Sequence, residues 1–241
     1  MAEPLETIVY DDLTPCPYLP GESARMPLRL PRRRLSREEF DTRLAAGDRR
    51  SGPVLYRPTC PSCNACEAIR LEIARFCPNR SQRRALARGD LELSTEIGPA
   101  LADGERVALY NRHRRLRGLE HREGAASASD YRQFLVVSCC ETFELRYRLE
   151  GALVGVALVD RAADSLSAVY CYFDPSHDRL SLGTYSILKQ IELCGLWGLS
   201  YLYLGLYVAR SRHMAYKGNF LPHQRLVDGE WREFGGVGGR R

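Results

Sequence analysis

Apolar positions in the second half of the chain fall into a readable series. Residues 143–149 and 152–160 are strand-like runs joined at Glu150-Gly151, the order of a β-hairpin. Ala168-Val169-Tyr170-Cys171-Tyr172-Phe173 follows, rich in the aromatic and β-branched residues that strands favour, and Asp174-Pro175 stops it. A polar loop comes next, Ser176-His177-Asp178-Arg179, and then Leu180-Ser181-Leu182-Gly183-Thr184. Beyond it Ile187, Leu188, Ile191 and Cys194 recur at helical spacing, which predicts an amphipathic helix over 185–197. Residues 201–207 read as a further strand. The series is β-β-β-α-β. Its strand–loop–helix, with Gly183 in the loop, leaves free backbone N–H groups at a helix N-terminus, where an anionic or ester-bearing ligand can be held. The same arrangement also serves as an ordinary strand-to-helix connection.

The first half is less regular. Residues 14–30 read as an extended loop, because Cys16-Pro17-Tyr18-Leu19-Pro20-Gly21 is too rich in Pro and Gly for a helix. Ser36 and Glu39 form a capping-box pattern ahead of Phe40 and Leu44, predicting a short helix that ends near Gly47. Arg49-Arg50-Ser51-Gly52-Pro53 is a turn leading into a short strand. Residues 68–76 alternate Ile69, Leu71 and Ile73 as a strand does. Asn79 to Arg84 opens a helix or turn, residues 101–119 form a helix crowded with arginine, and 130–140 hold another. The polar stretch 118–129 is a plausible boundary. The expected division is an N-terminal cysteine-containing subdomain over 1–118, a second unit over 119–234, and a glycine-rich tail, 235–241, expected to be disordered.

Composition narrows the class. The 241 residues can bury a full core, and 44% hydrophobic with 27% charged content is that of a soluble globular protein. No apolar run approaches the length of a membrane span, and Met-Ala-Glu-Pro-Leu-Glu lacks the regions of a signal peptide. The expected location is the cytoplasm, without membrane contact. The net charge of +5 is modest, but its form is informative: Lys189 and Lys217 are the only lysines. Arginine grips phosphate through a bidentate fork, although an arginine excess also follows from genome composition.

Two clusters carry candidate chemistry. Cys60, Cys63 and Cys66 form a C-x-x-C-x-x-C run, and Cys16 can supply a fourth thiolate. Four thiolates suit tetrahedral zinc or an iron–sulfur cluster; the alternative is a set of free thiols near a turn. Arg80, Ser81, Gln82, Arg83 and Arg84 can hold an RNA backbone or simply solvate a helix start. After the last core strand, residues 208–220 add Arg210, Arg212, Tyr216 and Lys217.

Several separated stretches coincide with one family. Cys16 through Gly21, Arg50-Ser51-Gly52 with Tyr56-Arg57-Pro58, the Cys60–Cys66 run and Ser81 through Arg84 are matching pieces in the first half. In the second half they are Ser167 through Pro175, Ser181 through Ser186, and Tyr203 through Tyr207 with Met214 through Lys217. The chain resembles the aminoacyl-tRNA–protein transferases, in particular the bacterial aspartate/glutamate leucyltransferase branch, related to the eukaryotic arginyltransferases. The resemblance implies an α+β fold with an acetyltransferase-like mixed sheet and flanking helices. It implies transfer of an amino acid, leucine ahead of arginine, from aminoacyl-tRNA to proteins with an N-terminal Asp or Glu, marking them for degradation. The donor ester is already activated, so no cofactor is required for transfer. Alignment, proton removal and oxyanion stabilisation suffice. Asp174 is the candidate for orienting or deprotonating the amine, with a turn role as the alternative. Tyr170 and Gly183 complete the catalytic expectation. Arg57, Arg80, Gln82, Arg83, Arg84, Tyr172, Leu182, Tyr185, Arg210, Tyr216 and Lys217 are the expected substrate and tRNA contacts. An acyl-CoA-dependent N-acyltransferase and a non-catalytic RNA- or metal-binding module are the competing classes.

Overall fold

The computed structural model describes residues 6–119 and 124–235. The expected tail, past Gly235, lies outside the described residues. The chain opens with strands β1 (Glu6–Tyr10), β2 (Leu13–Pro15), β3 (Ser23–Arg25) and β4 (Leu28–Pro31). Helix α1 (Arg37–Ala45) follows, capped by the expected Ser36–Glu39 box, then β5 (Arg49–Ser51), β6 (Val54–Tyr56) and β7 (Glu67–Glu72). Next come α2 (Arg80–Glu92), β8 (Leu93–Pro99), α3 (Gly104–Leu116) and α4 (Ala128–Tyr131), the last continued by a π-helical turn, Arg132–Val136. The second half runs β9 (Glu141–Leu149), β10 (Ala152–Arg161), β11 (Ser165–Phe173), α5 (Leu182–Leu196), β12 (Tyr201–Tyr207), α6 (Arg212–Ala215), β13 (His223–Val227) and β14 (Glu230–Phe234).

The β-β-β-α-β series is thus β9-β10-β11-α5-β12. It forms the centre of an eight-stranded sheet ordered β14-β13-β7-β12-β11-β10-β9-β8. Neighbours are antiparallel except β11 and β12, which run parallel and are joined through α5. A parallel pair needs such a crossover. Strand β10 is buried on both faces, which is why it reads as one continuous apolar run. Its Leu153, Val156 and Leu158 meet Leu109, Tyr110, Tyr131 and Leu135 under α3 and α4. Its Val154, Ala157 and Val159 join the cluster of α5, with Leu182, Tyr185, Ile187 and Leu188.

A smaller sheet, β1-β4-β6-β5, and α1 cover part of the large one. Phe40, Leu44 and Leu55 pack with Cys139, Cys140 and Tyr203. The loop expected over 14–30 is in fact a β2–β3 hairpin followed by β4. The strand expected to reach Phe76 stops at Glu72, where the Arg75 and Phe76 amides turn back onto the Glu72 carbonyl. Strand β8 and the β13–β14 hairpin had no clear apolar signal. Strands from both sides of residue 118 share the large sheet: β7 pairs with β12, and β8 with β9.

The two sheets are fastened by a buried ion pair. Arg50 Nε donates to Asp160 Oδ2 at 2.6 Å, with side chains 1% and 0% exposed. Thr142 donates to the other Asp160 oxygen, and Arg50 also reaches the Gly52 carbonyl. Removing one partner of a buried pair strands the other charge. Asp160→Ala is therefore expected to destabilise the fold by about 3–5 kcal/mol, read as a lowered midpoint in chemical denaturation; a change within about 1 kcal/mol would show that Arg50 finds another partner.

Candidate active site

Strands β11 and β12 pair only at Ser165–Tyr201, Leu166–Leu202 and Ser167–Tyr203. Beyond that point β11 continues with β10 to Phe173, and β12 continues with β7 to Tyr207. A gap therefore opens between residues 168–173 and 204–207. Backbone carbonyls freed by such a parting need new donors. Arg49 Nη2 donates to the Ala168 carbonyl at 3.2 Å, and Lys217 Nζ donates to the Leu206 carbonyl at 2.8 Å.

Residue 205 governs the space between these two cations. Gly205 has φ +88°, and a Cβ there would stand 3.1 Å from Arg49 Nη2 and 3.4 Å from Lys217 Nζ. Glycine satisfies both the left-handed backbone and the close approach. The register of β12 on β7 shifts at this residue. Among the described residues neither Arg49 nor Lys217 has a carboxylate within ion-pair distance. Arg50, on the opposite face of β5, shows the contrast: burial opposes its charge, but Asp160 holds it above the ordinary arginine value. Arg49 is pushed below that value, mainly by burial. Lys217 is lowered to about 7 by burial and then by the charge of Arg49.

At the open end, helix α5 begins after Ser181, which has φ 50° and supplies no side-chain cap. The Thr184 and Tyr185 amides close on the Ser181 carbonyl. The Leu182 and Gly183 amides are left as first-turn donors, the arrangement that favours an anion. Gly183 borders Phe173, the last residue of β11: a Cβ would touch its ring at 3.5 Å. Arg117 lies over the other side of this region, 5.9 Å from the Phe173 ring. A cleft of about 470 Å³ opens here, lined by Leu116, Arg117, Arg212 and His213. Tyr216 is 45% exposed overall, yet its hydroxyl lies deep. Burial and then the nearby Cys171 push that hydroxyl up to about 12, against the pull of Arg117.

Asp174 stands at this mouth in the service of the turn. Its Oδ1 accepts the Ser176 amide at 3.0 Å and the Ser176 hydroxyl at 2.7 Å, while Oδ2 pairs with Arg112 at 2.8 Å. Burial pushes its carboxyl up, but Ser176 and Arg112 outweigh it and hold the group below the ordinary value. A carboxylate so engaged is a weak proton acceptor. Neighbouring His113 is buried against Phe173, and its Nδ1 lies 2.8 Å from the Phe173 carbonyl. Burial lowers its pKa, and Arg117 adds to the fall, against the hydrogen bond to Phe173.

Three expected contacts, Tyr172, Tyr185 and Gln82, prove to be structural, and Leu182 keeps only its backbone amide for the site. Tyr172 is fully buried and shares a 2.6 Å hydrogen bond with the Tyr131 hydroxyl, so it cannot line the gap. Tyr185 is buried beneath α2, its hydroxyl 3.1 Å from Asp90. The Leu182 side chain belongs to the core, leaving only its amide for the site. Gln82 is the N3 partner of Asn79 in a capping box and reaches the Asn219 carbonyl. Tyr170 sits edge-on to Tyr110 and Phe134, on the face of β11 covered by α3 and α4. Arg57 is held by Asp48 at 2.9 Å, and Arg210 makes a loose 3.7 Å pair with Glu22. Arg80, Arg83 and Arg84 are exposed on α2. Arg49, Arg117 and Gly205 were missed as site residues; the one signal for the first was two adjacent arginines entering a strand, where successive side chains point to opposite faces.

The four N-terminal thiols are neighbours. Burial pushes Cys66 up to about 12, and Cys16, Cys60 and Cys63 each add to the rise. Cys60 Sγ accepts the Arg25 amide at 3.4 Å. Among the described residues no group of three or more His, Cys, Asp or Glu side chains is placed to hold a metal ion. The cluster reaches the gap through Tyr18, which is hydrogen-bonded to Tyr56 and feels both Cys66 and Arg49.

Comparison with known proteins agrees along the chain. The family models described as "Arginine-tRNA-protein transferase, N terminus" and "C terminus" match residues 14–84 and 105–227. The chain is 40% identical over 220 residues to an aspartate/glutamate leucyltransferase of Chromobacterium violaceum, covering 90% of this chain and 89% of that one. It is 41% identical to the protein of that name from Thiobacillus denitrificans, covering 90% of each chain. With the one from Aeromonas hydrophila it shares 38% identity, over 94% of this chain and 96% of that one. Among solved structures, the C-terminal domain of a putative lysylphosphatidylglycerol synthetase from Agrobacterium fabrum has a TM-score of 0.45 and 14% identity, over 60% of this chain and 47% of that one.

The lowered Lys217 makes a stability prediction with a definite sign. Between about 7 and the ordinary 10.5 the unfolded chain holds a proton at this lysine that the folded one has lost. Folded stability from this group therefore rises with pH through that window and is flat below it. Against Lys217→Met, which keeps the volume and removes the charge, the wild type is expected to gain melting temperature from pH 7 to 10. Parallel curves over that range would place the Lys217 pKa at its ordinary value.

Proposed function

We propose that this chain, which belongs to the arginine-tRNA–protein transferase family, transfers leucine from leucyl-tRNA to the α-amino group of proteins that begin with Asp or Glu. The observation that carries this reading is the gap between β11 and β12, with buried Arg49 and half-buried Lys217 on either side of Gly205 and the α5 N-terminus at its mouth. The core of β9 to β12 with α5 acts as an acetyltransferase-like donor site. From Ala168 to Phe173 the gap is about 17 Å long at the rise of a strand. That length accommodates a terminal nucleotide and its aminoacyl ester. The α5 amides and Arg117 take the terminal phosphate; the ester lies deeper, toward Gly205. Arg80, Arg83 and Arg84 on α2 meet phosphates further along the tRNA. Because the donor is a charged tRNA, the protein works in the cytoplasm, and the added residue marks its target for degradation. No helix among the described residues is long and apolar enough to cross a membrane.

The reaction is balanced with few demands on the protein. The amine nitrogen bonds to the ester carbon, the ribose oxygen leaves, and the resulting hydroxyl takes a proton. One further proton is released from the ammonium. An α-amino group has a pKa of about 8, so a useful fraction is already neutral at physiological pH. Proton removal therefore needs no strong base, and alignment carries most of the burden.

The test uses purified protein, peptides beginning with Asp or Glu, and tRNA charged with labelled leucine or arginine. Leucine is expected on the peptide amine, and ribonuclease should abolish transfer. Arginine alone on the peptide would make this chain an arginyltransferase; label from acyl-CoA but not from tRNA would overturn the reading. Within that assay, Asp174→Asn keeps the turn and loses only the pair with half-exposed Arg112, so single-turnover transfer is expected to stay close to wild type. Transfer slower by about 10²-fold or more would return Asp174 to the chemistry as an acid–base group.

A further inference from the structure

Arg49 and Lys217 stand apart from most of the buried and half-buried basic side chains. Arg29, Arg50, Arg57, Arg106, Arg146, Arg148 and Arg225 all meet carboxylates, several at buried sites. Arg49, 7% exposed, meets only the Ala168 carbonyl, and Lys217 meets the Leu206 carbonyl and the Met214 sulfur. Burying a cation without a counter-ion is costly, and setting a second beside it more so, since they repel; without a counter-charge Lys217 gives up its proton near neutrality. The backbone helps to keep them so. Gly205 presents no side chain to the space between them, and its left-handed φ disfavours any replacement. Tyr18 and Tyr56 lie beside Arg49, and the Met214 sulfur beside Lys217.

We propose that Arg49 and Lys217 together receive the side-chain carboxylate of the incoming protein's first residue, and so select Asp and Glu over Asn and Gln. The inference rests on the reading of this chain as an aminoacyltransferase for acidic N-termini, and assigns the residues that make that choice. A carboxylate between the two cations satisfies both. A neutral amide of the same shape would leave Arg49 unpaired and give Lys217 nothing to hold its proton, the kind of mismatch that discriminates strongly. One or two methylenes separate that carboxylate from the α-carbon. Seating it at the closed end of the gap therefore holds the amine just above, where the donor ester arrives from the α5 side. The fork of Arg49 fixes direction, and the flexible stem of Lys217 accommodates the extra methylene of Glu.

The chain's lysine content supplies a test that needs no variant. Lys189 and Lys217 are the only lysines, and Lys189 is paired with Asp90 and Glu192. Brief acetylation of the intact protein by an N-hydroxysuccinimide ester, read by peptide mass spectrometry, reports each lysine separately. A peptide beginning with Asp, at a concentration that saturates transfer, is expected to protect Lys217 at least about tenfold, while its Asn-beginning counterpart leaves it reactive. Lys189 should be labelled equally in both. Equal labelling of Lys217 with the two peptides, in protein that transfers leucine to the Asp peptide, would overturn the inference and leave the function standing. Protein that transfers to neither peptide would instead fail the functional reading. Lys217→Met gives the second measurement: kcat/KM for Asp and Glu peptides should fall by at least about 30-fold with charged-tRNA affinity unchanged, the scale for truncating one member of a buried charge pair. A fall shared equally by Asp and Asn peptides, or a loss confined to tRNA affinity, would assign Lys217 to the donor side and overturn the assignment.

Discussion

The burial of arginine where the two sheets meet is the constraint on which the rest of the structure turns. Strand β5 carries Arg49 and Arg50 side by side, so they point to opposite faces and into different surroundings. Arg50 is completed by Asp160 and the Gly52 carbonyl, and joins the N-terminal strands to β10. Arg49 is completed only by a carbonyl that the parting of β11 from β12 has set free. One residue thus stabilises the fold, and its neighbour uses that stability to hold an unbalanced charge at the base of a cleft. Stability spent at a site and recovered elsewhere is the usual pattern of functional strain.

The parting of β11 from β12 follows from the connection between them. A parallel pair joined by a helix has no tight turn to set its register, and here only three residue pairs are made. The other edges of both strands are held by long antiparallel ladders, so β11 can lean toward β10 and β12 toward β7. The loop after Phe173 then brings the start of α5 back over the end of β11. A gap of this shape has one deep end, one open end and two backbone edges. It suits a long donor entering from one side and a short acceptor terminus seated at the other.

Much of this was legible in the sequence. The runs of β9, β10, β11 and β12 and the apolar stripe of α5 are strong because both faces of the sheet's middle are covered, and covered strands leave continuous apolar runs. Strands β1 and β14 are short and largely exposed, and β2, β3, β4 and β13 are short and only partly covered, so none leaves a clear alternation. The site was harder. Tyr172 and Tyr185 belonged to matching motifs, but a motif does not say which face a side chain takes; both went to the core. Gln82 looked like an RNA donor amid arginines, although Asn79 three residues earlier already spelled a capping box. Arg49 was invisible because its significance lies in a missing partner, and an absent carboxylate leaves no mark in one dimension.

The same absence explains why Asp174 drew attention and Arg49 did not. A carboxylate at the end of a core strand looks like chemistry, because general bases are commonly carboxylates. Placed in three dimensions, its oxygens are taken by Ser176 and Arg112, and its charge is balanced. Arg49 and Lys217 sit among aromatic rings, a thioether and carbonyls; among the described residues neither has a carboxylate within ion-pair distance, and Asp160, paired with Arg50, reaches Arg49 only as a more distant charge. In a low-dielectric site the group that acts on a charged ligand is the one whose own charge is still unanswered. The reacting ester brings its own activation and the amine needs no strong base. What remains for the protein is to choose the amine, and an unanswered pair of cations chooses by charge.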